Sequence, residues 1–139
     1  AIHGITKFTD MSAAEFKETH LNYVPGDRKS TNVDTSIEAM PEGTETLVDW
    51  TGELTTPVKD QGYCGSCWAF SATEQIESDY MRTAGTEYIL SAQQITTCSY
   101  RNFIVGGCNG GNTEKAFTYA EGGVELDSDY SYTSGDAGV

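Results

Sequence analysis

At 139 residues, 37% of them hydrophobic and 21% charged, the chain can bury one modest core and is too apolar for wholesale disorder. A net charge of −13 argues against nucleic acid and anionic membranes as partners, because phosphate recognition needs clustered Lys and Arg. No stretch approaches the roughly 20 apolar residues of a membrane-spanning helix. The acidity is uneven: residues 1–43 hold seven acids and four bases, residues 44–139 fourteen acids and four bases. That balance suits an acidic compartment, where protonated carboxylates repel less. Ala1 opens no basic-then-apolar leader, so the chain is expected to begin inside a longer precursor.

The first element is a short helix. Ser12-Ala13-Ala14-Glu15 reads as a capping box, and Phe16, Thr19, His20 and Tyr23 follow at helical spacing. Residues 25–46 contain Pro25, Gly26, Pro41 and Gly43 among polar residues without periodicity, the composition of a linker or extended segment. A helix over 67–81 is predicted next, with Phe70, Thr73, Ile76, Glu77 and Tyr80 at three- and four-residue steps and Gly85 as its stop. Ser91 caps a second helix through about Thr97, with Ile95 turned inward. Cys108-Asn109-Gly110-Gly111 reads as a turn, and a third helix runs from Glu114 to Ala120 before Gly122-Gly123.

Chemistry concentrates in Gln61-Gly62-Tyr63-Cys64-Gly65-Ser66-Cys67-Trp68, where a turn of small residues becomes a helix. A helix N-terminus gathers unpaired N–H groups and partial positive charge, which favours a thiolate and offers donors to an oxyanion beside it. Cys67 is therefore a candidate nucleophile. The residues alone leave other readings open. Cys64 and Cys67 fit a structural disulfide or a redox dithiol, and Cys64, Cys67, Cys98 and Cys108 fit a zinc site, although the spacing of the last two is not a second knuckle. Gln61 alone is an ordinary polar turn residue, and Gly65, Gly110 and Gly111 are ordinary turn glycines.

Together these motifs resemble the papain/cathepsin family of cysteine proteases. C-G-S-C-W at 64–68 resembles that family's active-site signature. Gln61 stands six residues before Cys67, as in its Q-x-x-x-x-x-C pattern, and C-N-G-G at 108–111 and Tyr130-Ser131-Tyr132 match further motifs. Gly4 to Asp10 is similar to the propeptide motif G-x-N-x-F-x-D, with Thr6 in place of Asn. Val48-Asp49-Trp50 resembles the usual mature start.

The resemblance implies an α+β papain-like fold of which the mainly helical N-terminal domain is visible and the β-rich second domain is not. It divides the chain into the C-terminal part of an inhibitory propeptide (1–46), crossing the cleft in its linker, and a truncated peptidase domain (47–139), with maturation cleavage between about Gly43 and Leu47. It assigns Cys67 as the nucleophile and Gln61, with the Cys67 N–H, as the oxyanion hole. Substrate binding falls to Gly65, Gly110, Gly111, Asn112 and Thr113, with Asn112 and Thr113 walling the pocket for the side chain second from the scissile bond; the alternative for Asn112 is that it only caps the helix that follows. Asn109 is expected to be a turn residue and no more. Cys64 is expected to pair with Cys108, leaving Cys98 unpaired in this chain. The resemblance calls for no cofactor and no metal. It implies a monomer acting on peptide or protein substrates, restrained by its own propeptide, on a secretory route to a lysosome, a vacuole or the exterior. The family's catalytic His and Asn lie some 130–150 residues past the nucleophile. His3 and His20, the two histidines here, both precede it, so the chain alone is expected to be inactive. The rival from another class is a binding protein whose N-terminal segment inhibits a different protease.

Overall fold

The computed structural model describes residues 4–21, 24, 48–99 and 106–137. Five helices follow in order among the described residues: α1 (Ala13–His20), α2 (Cys67–Ala84), α3 (Ala92–Cys98), α4 (Thr113–Ala120) and α5 (Ser134–Ala137), with a 3₁₀ turn at Gly107–Asn109 before α4. Among the described residues, strand pairing is limited to the isolated bridge Leu90↔Leu126. Beside it, Ser91 N–H donates to Glu125 O at 2.8 Å and Asp127 N–H to Ile89 O at 2.9 Å. The expected linker over 25–46 and the expected cleavage region lie outside the described residues, as does Tyr23.

The capping box at Ser12 forms as its sequence demands. Glu15 N–H donates to Ser12 Oγ at 3.2 Å, and Ser12 N–H donates back to the Glu15 carboxylate at 2.8 Å. Behind it the N-terminal segment builds a small aromatic cluster. Phe8 meets Phe16 edge-on at 5.3 Å, and His20 stacks on Phe16 at 5.0 Å. His20 is thereby buried.

Helix α2 carries the main core. It outruns the expected 67–81 by almost a turn and stops at Gly85, whose left-handed φ of 68° lets its N–H close on Met81 O. The core joins Trp68, Ala69 and Ala72 of α2 to Ile95 of α3 and Ala116 of α4, with Phe117, Tyr119 and Val124 against it. The apolar stripe read from the sequence is displaced. Phe70, Thr73 and Glu77 are buried as expected, whereas Tyr80 is 45% exposed. The centre rotates to Trp68, Ala69 and Ala72 because alanines let two helices approach closely while one indole fills the gap. Burying an indole removes on the order of 200 Å² from water, about 5 kcal/mol before entropy is subtracted.

Opposite that core, Glu77 places a carboxylate out of contact with solvent. Its oxygens accept from Lys59 Nζ at 2.6 Å, Thr56 Oγ1 at 2.5 Å and the Leu90 N–H at 2.8 Å. One buried charge thus ties the segment over 56–59 and the segment before α3 to the middle of α2. Such a charge is tolerated because it is paired and fully hydrogen-bonded; losing one partner leaves it uncompensated. Lys59→Met is expected to cost about 3 kcal/mol or more in urea-unfolding free energy, and adding Glu77→Leu to recover much of that loss. Additive losses in the double variant would show that the pair is not a unit.

Candidate active site

Cys67 is the first residue of α2, and no side chain caps that helix. Ser66 holds the N-cap position, and its carbonyl accepts from the Ala69 N–H at 2.9 Å and the Phe70 N–H at 3.2 Å. The Cys67 thiol is free and half-buried. It opens into a cavity of ≈ 710 Å³ lined also by Gln61, Phe70, Ser71 and Glu74. Gln61 reaches the same cavity, and one of its amide hydrogens is held by Cys64 O at 2.8 Å. An amide nitrogen carries two hydrogens, so the second serves a further acceptor. A free thiol at a helix N-terminus beside an amide donor is an arrangement suited to attack on a carbonyl.

Cys64 is bonded to Cys108, with Cα atoms 4.6 Å apart. That bond removes the Cys64–Cys67 redox pair, and it removes two thiolates from the four-cysteine zinc reading. Cys98 is free and exposed. The disulfide and a Gly65 N–H to Cys108 O bond of 3.1 Å dock the C-N-G-G turn on the loop before Cys67. The remaining expected substrate-binding residues, Gly110 to Thr113, follow directly from that turn into α4. Asn109 is exposed in the 3₁₀ turn. Gly111 must be glycine for a reason the motif does not reveal: a Cβ there would lie 2.3 Å from the Trp68 indole.

Asn112 does two jobs. Its side chain caps α4 by accepting the Lys115 N–H at 3.1 Å, and its Nδ2 donates to Val24 O at 3.1 Å. The Val24 N–H donates to Gly111 O at 2.8 Å. Residues 111 and 112 therefore hold Val24 through both its backbone groups. The sequence left Asn112 open between a pocket wall and a cap for the helix that follows; here its side chain caps α4 and donates to the Val24 carbonyl.

Two further contacts join the N-terminal segment to the 60–63 loop, and the motifs carried no sign of them. His20 lies edge-on to Tyr63 at 6.1 Å between ring centres, and Lys7 forms an ion pair with Asp60. The Lys7 hydrogen bond, then the Gly62 N–H, hold the Asp60 carboxyl below the usual aspartate range; burial opposes this slightly, and charge from Lys7 and His20 assists. Gly62, at φ 60°, is forced by Gly135, whose carbonyl would lie 2.6 Å from a Cβ.

Residues 44–138 match the model of the papain family cysteine proteases. The chain belongs to that family. Similarity extends along most of the chain. A digestive cysteine proteinase of Homarus americanus is 44% identical over 135 residues, covering 95% of this chain and 41% of that protein. A cathepsin L-like proteinase of Fasciola hepatica is 38% identical, covering 94% and 40%. Among solved structures, the proform of the ragweed pollen cysteine protease Amb a 11 matches with a TM-score of 0.69 and 30% identity, over 97% of this chain and 45% of that one. The chain thus spans about two fifths of the length of those two curated papain-family relatives. The papain-like fold, through its helical N-terminal domain, accounts for the helices from α2 onward.

Lys7 and Asp60 are both well exposed, so their pair contributes little to global stability and acts as a local contact. Because docking depresses the Asp60 carboxyl, its contribution is complete above the ordinary aspartate value and fades as pH falls through the lowered one. Asp60→Asn is expected to speed hydrogen exchange in α1 at neutral pH, with the difference from wild type closing as the pH becomes strongly acidic. A pH-independent difference would place the docking energy elsewhere.

Proposed function

We propose that this chain is the central part of the precursor of a papain-type cysteine endopeptidase. Residues 1–46 are the end of its inhibitory propeptide and residues 47–139 the N-terminal part of its peptidase domain. The observation that carries the reading is the free Cys67 thiol at the uncapped start of α2, facing an open cavity beside the Gln61 amide. Cys67 Sγ attacks the scissile carbonyl, forming an S–C bond and moving an electron pair onto the oxygen. The Gln61 amide and the Cys67 N–H stabilise that oxyanion. A histidine from outside this chain takes the Cys67 thiol proton and gives it to the leaving amine as the oxyanion collapses and the C–N bond breaks; water then cleaves the thioester, releasing the carboxylic acid and restoring the thiol.

The zymogen reading is supported by Val24, held by Gly111 and Asn112, and by similarity to a protease in its proform. The same contacts favour a segment that occupies its own enzyme's cleft over one dedicated to another protease. The Gly111 carbonyl and Asn112 Nδ2 pair with a substrate backbone where Val24 lies, and Gly65 and Gly110 keep the neighbouring surface clear of side chains. Thr113 stands beside it as pocket wall. The disulfide fits an oxidising route to a lysosome, a vacuole or the exterior. No described helix is long and apolar enough to cross a membrane. The enzyme acts as a monomer and needs no cofactor or metal.

His20, buried against Phe16 and with Nδ1 2.5 Å from Thr19 Oγ1, is committed to the N-terminal segment. The 139-residue chain is therefore expected to show no peptide hydrolysis. The full-length enzyme should hydrolyse fluorogenic peptides, lose all turnover in Cys67→Ser, and lose about 10²–10³-fold in kcat in Gln61→Ala. Cysteine-dependent turnover by the chain alone would show that the base lies within it.

A further inference from the structure

Ser66 is the residue type that ordinarily caps a helix, yet its hydroxyl does not cap α2. It lies 2.6 Å from the Tyr132 hydroxyl. The Tyr132 hydroxyl in turn lies 2.9 Å from the backbone carbonyl of Gln61. A phenol has one hydrogen, and a carbonyl can only accept. Tyr132 therefore donates to Gln61 and accepts from Ser66. A single oxygen atom joins the residue bearing the side-chain oxyanion donor to the residue whose successor bears the thiol.

The ring that carries this oxygen is itself fixed. Tyr132 meets Phe70 edge-on at 4.7 Å. Gln93 of α3 accepts the N–H groups of Thr133 at 2.8 Å and Ser134 at 3.0 Å, and donates to Ser134 Oγ at 2.8 Å. Gly135 O accepts the Tyr63 N–H at 2.9 Å. A Cβ on Gly135 would meet Gln61 O at 2.8 Å, so the two segments lie in close contact. Burial, aided by the nearby Asp60 charge and opposed by the Ser66 bond, pushes the Tyr132 phenol above its usual value, so it keeps its proton as a donor.

We infer that Tyr132 is a positioning residue for the oxyanion hole: its hydroxyl joins Gln61 to Ser66 and so fixes the Gln61 amide relative to the Cys67 N–H. The distance between the two donors is thereby set before charge develops in the transition state. The inference rests on the peptidase reading above.

Tyr132→Phe keeps the ring on Phe70 and removes only the hydroxyl. In the matured full-length enzyme, kcat is expected to fall by about tenfold or more with KM little changed. Affinity for a peptide aldehyde, which forms a tetrahedral oxyanion on the thiol, should fall in proportion, while affinity for the matching peptide alcohol stays within about twofold. Should that variant fail to fold, Ser66→Ala leaves the Tyr132–Gln61 bond intact and is expected to shift the same aldehyde-to-alcohol ratio by a smaller factor. Equal losses for aldehyde and alcohol, or no loss for either, in the variant that folds would overturn the inference. A wild-type enzyme with no Cys67-dependent turnover would overturn the peptidase reading and this inference with it.

Discussion

A loop that must hold an amide donor and a thiol in fixed relation cannot fix itself when two of its residues between them are glycines. Residues 61–66 carry small or polar side chains apart from the exposed Tyr63, and their geometry is imposed from both sides. On one side the Cys64–Cys108 disulfide and the Gly65–Cys108 hydrogen bond attach the loop to the turn at 107–111. On the other, Tyr132 and Gly135 hold Gln61, Tyr63 and Ser66. The disulfide spans 44 residues, and closing a loop of that length is worth about 4 kcal/mol in the chain-entropy picture. A bond between neighbours such as Cys64 and Cys67 would close almost nothing. Long-range attachment is what makes the loop rigid.

The rigid loop needs an equally fixed base. Trp68 follows the thiol directly and enters the core, so the N-terminal turn of α2 is anchored by its second residue. The Gly111 backbone lies on the same indole, which makes one ring the common floor of the helix start and of the surface that holds Val24. A change in the ring would move both together. Farther along α2, Glu77 does for the middle of the helix what Trp68 does for its start, with charge in place of apolar area.

The N-terminal segment is attached by three different kinds of contact: hydrogen bonding of the Val24 backbone to Gly111 and Asn112, aromatic contact of His20 with Tyr63, and an ion pair of Lys7 with Asp60. They respond to different conditions. Backbone pairing is indifferent to pH in the range where proteins fold, whereas the ion pair depends on the Asp60 charge. Dividing the attachment in this way allows part of it to loosen while Val24 stays in place.

Much of this was legible in the sequence. Ser12 to Glu15, Gly85 and Ser91 mark helix ends because caps are local chemistry, and Cys67 with Gln61 marks the site because a motif packs rare chemistry into a few residues. What stayed hidden depends on contacts between segments far apart in the chain. Tyr132 lies 66 residues from Ser66, and nothing in either neighbourhood announces that the serine gives up its cap. Glu77 read as one step of a helical stripe until Lys59, Thr56 and the Leu90 N–H closed around it. Gly111 read as a turn glycine until an indole 43 residues away, at Trp68, occupied the space of its missing side chain. The sequence by itself determined which residues can do the chemistry, since nucleophile, donor and cap are properties of single side chains and short spacings. Tertiary structure alone decided which of them are held still, because a hydrogen bond or a close packing contact between distant residues exists only once the chain between them has closed.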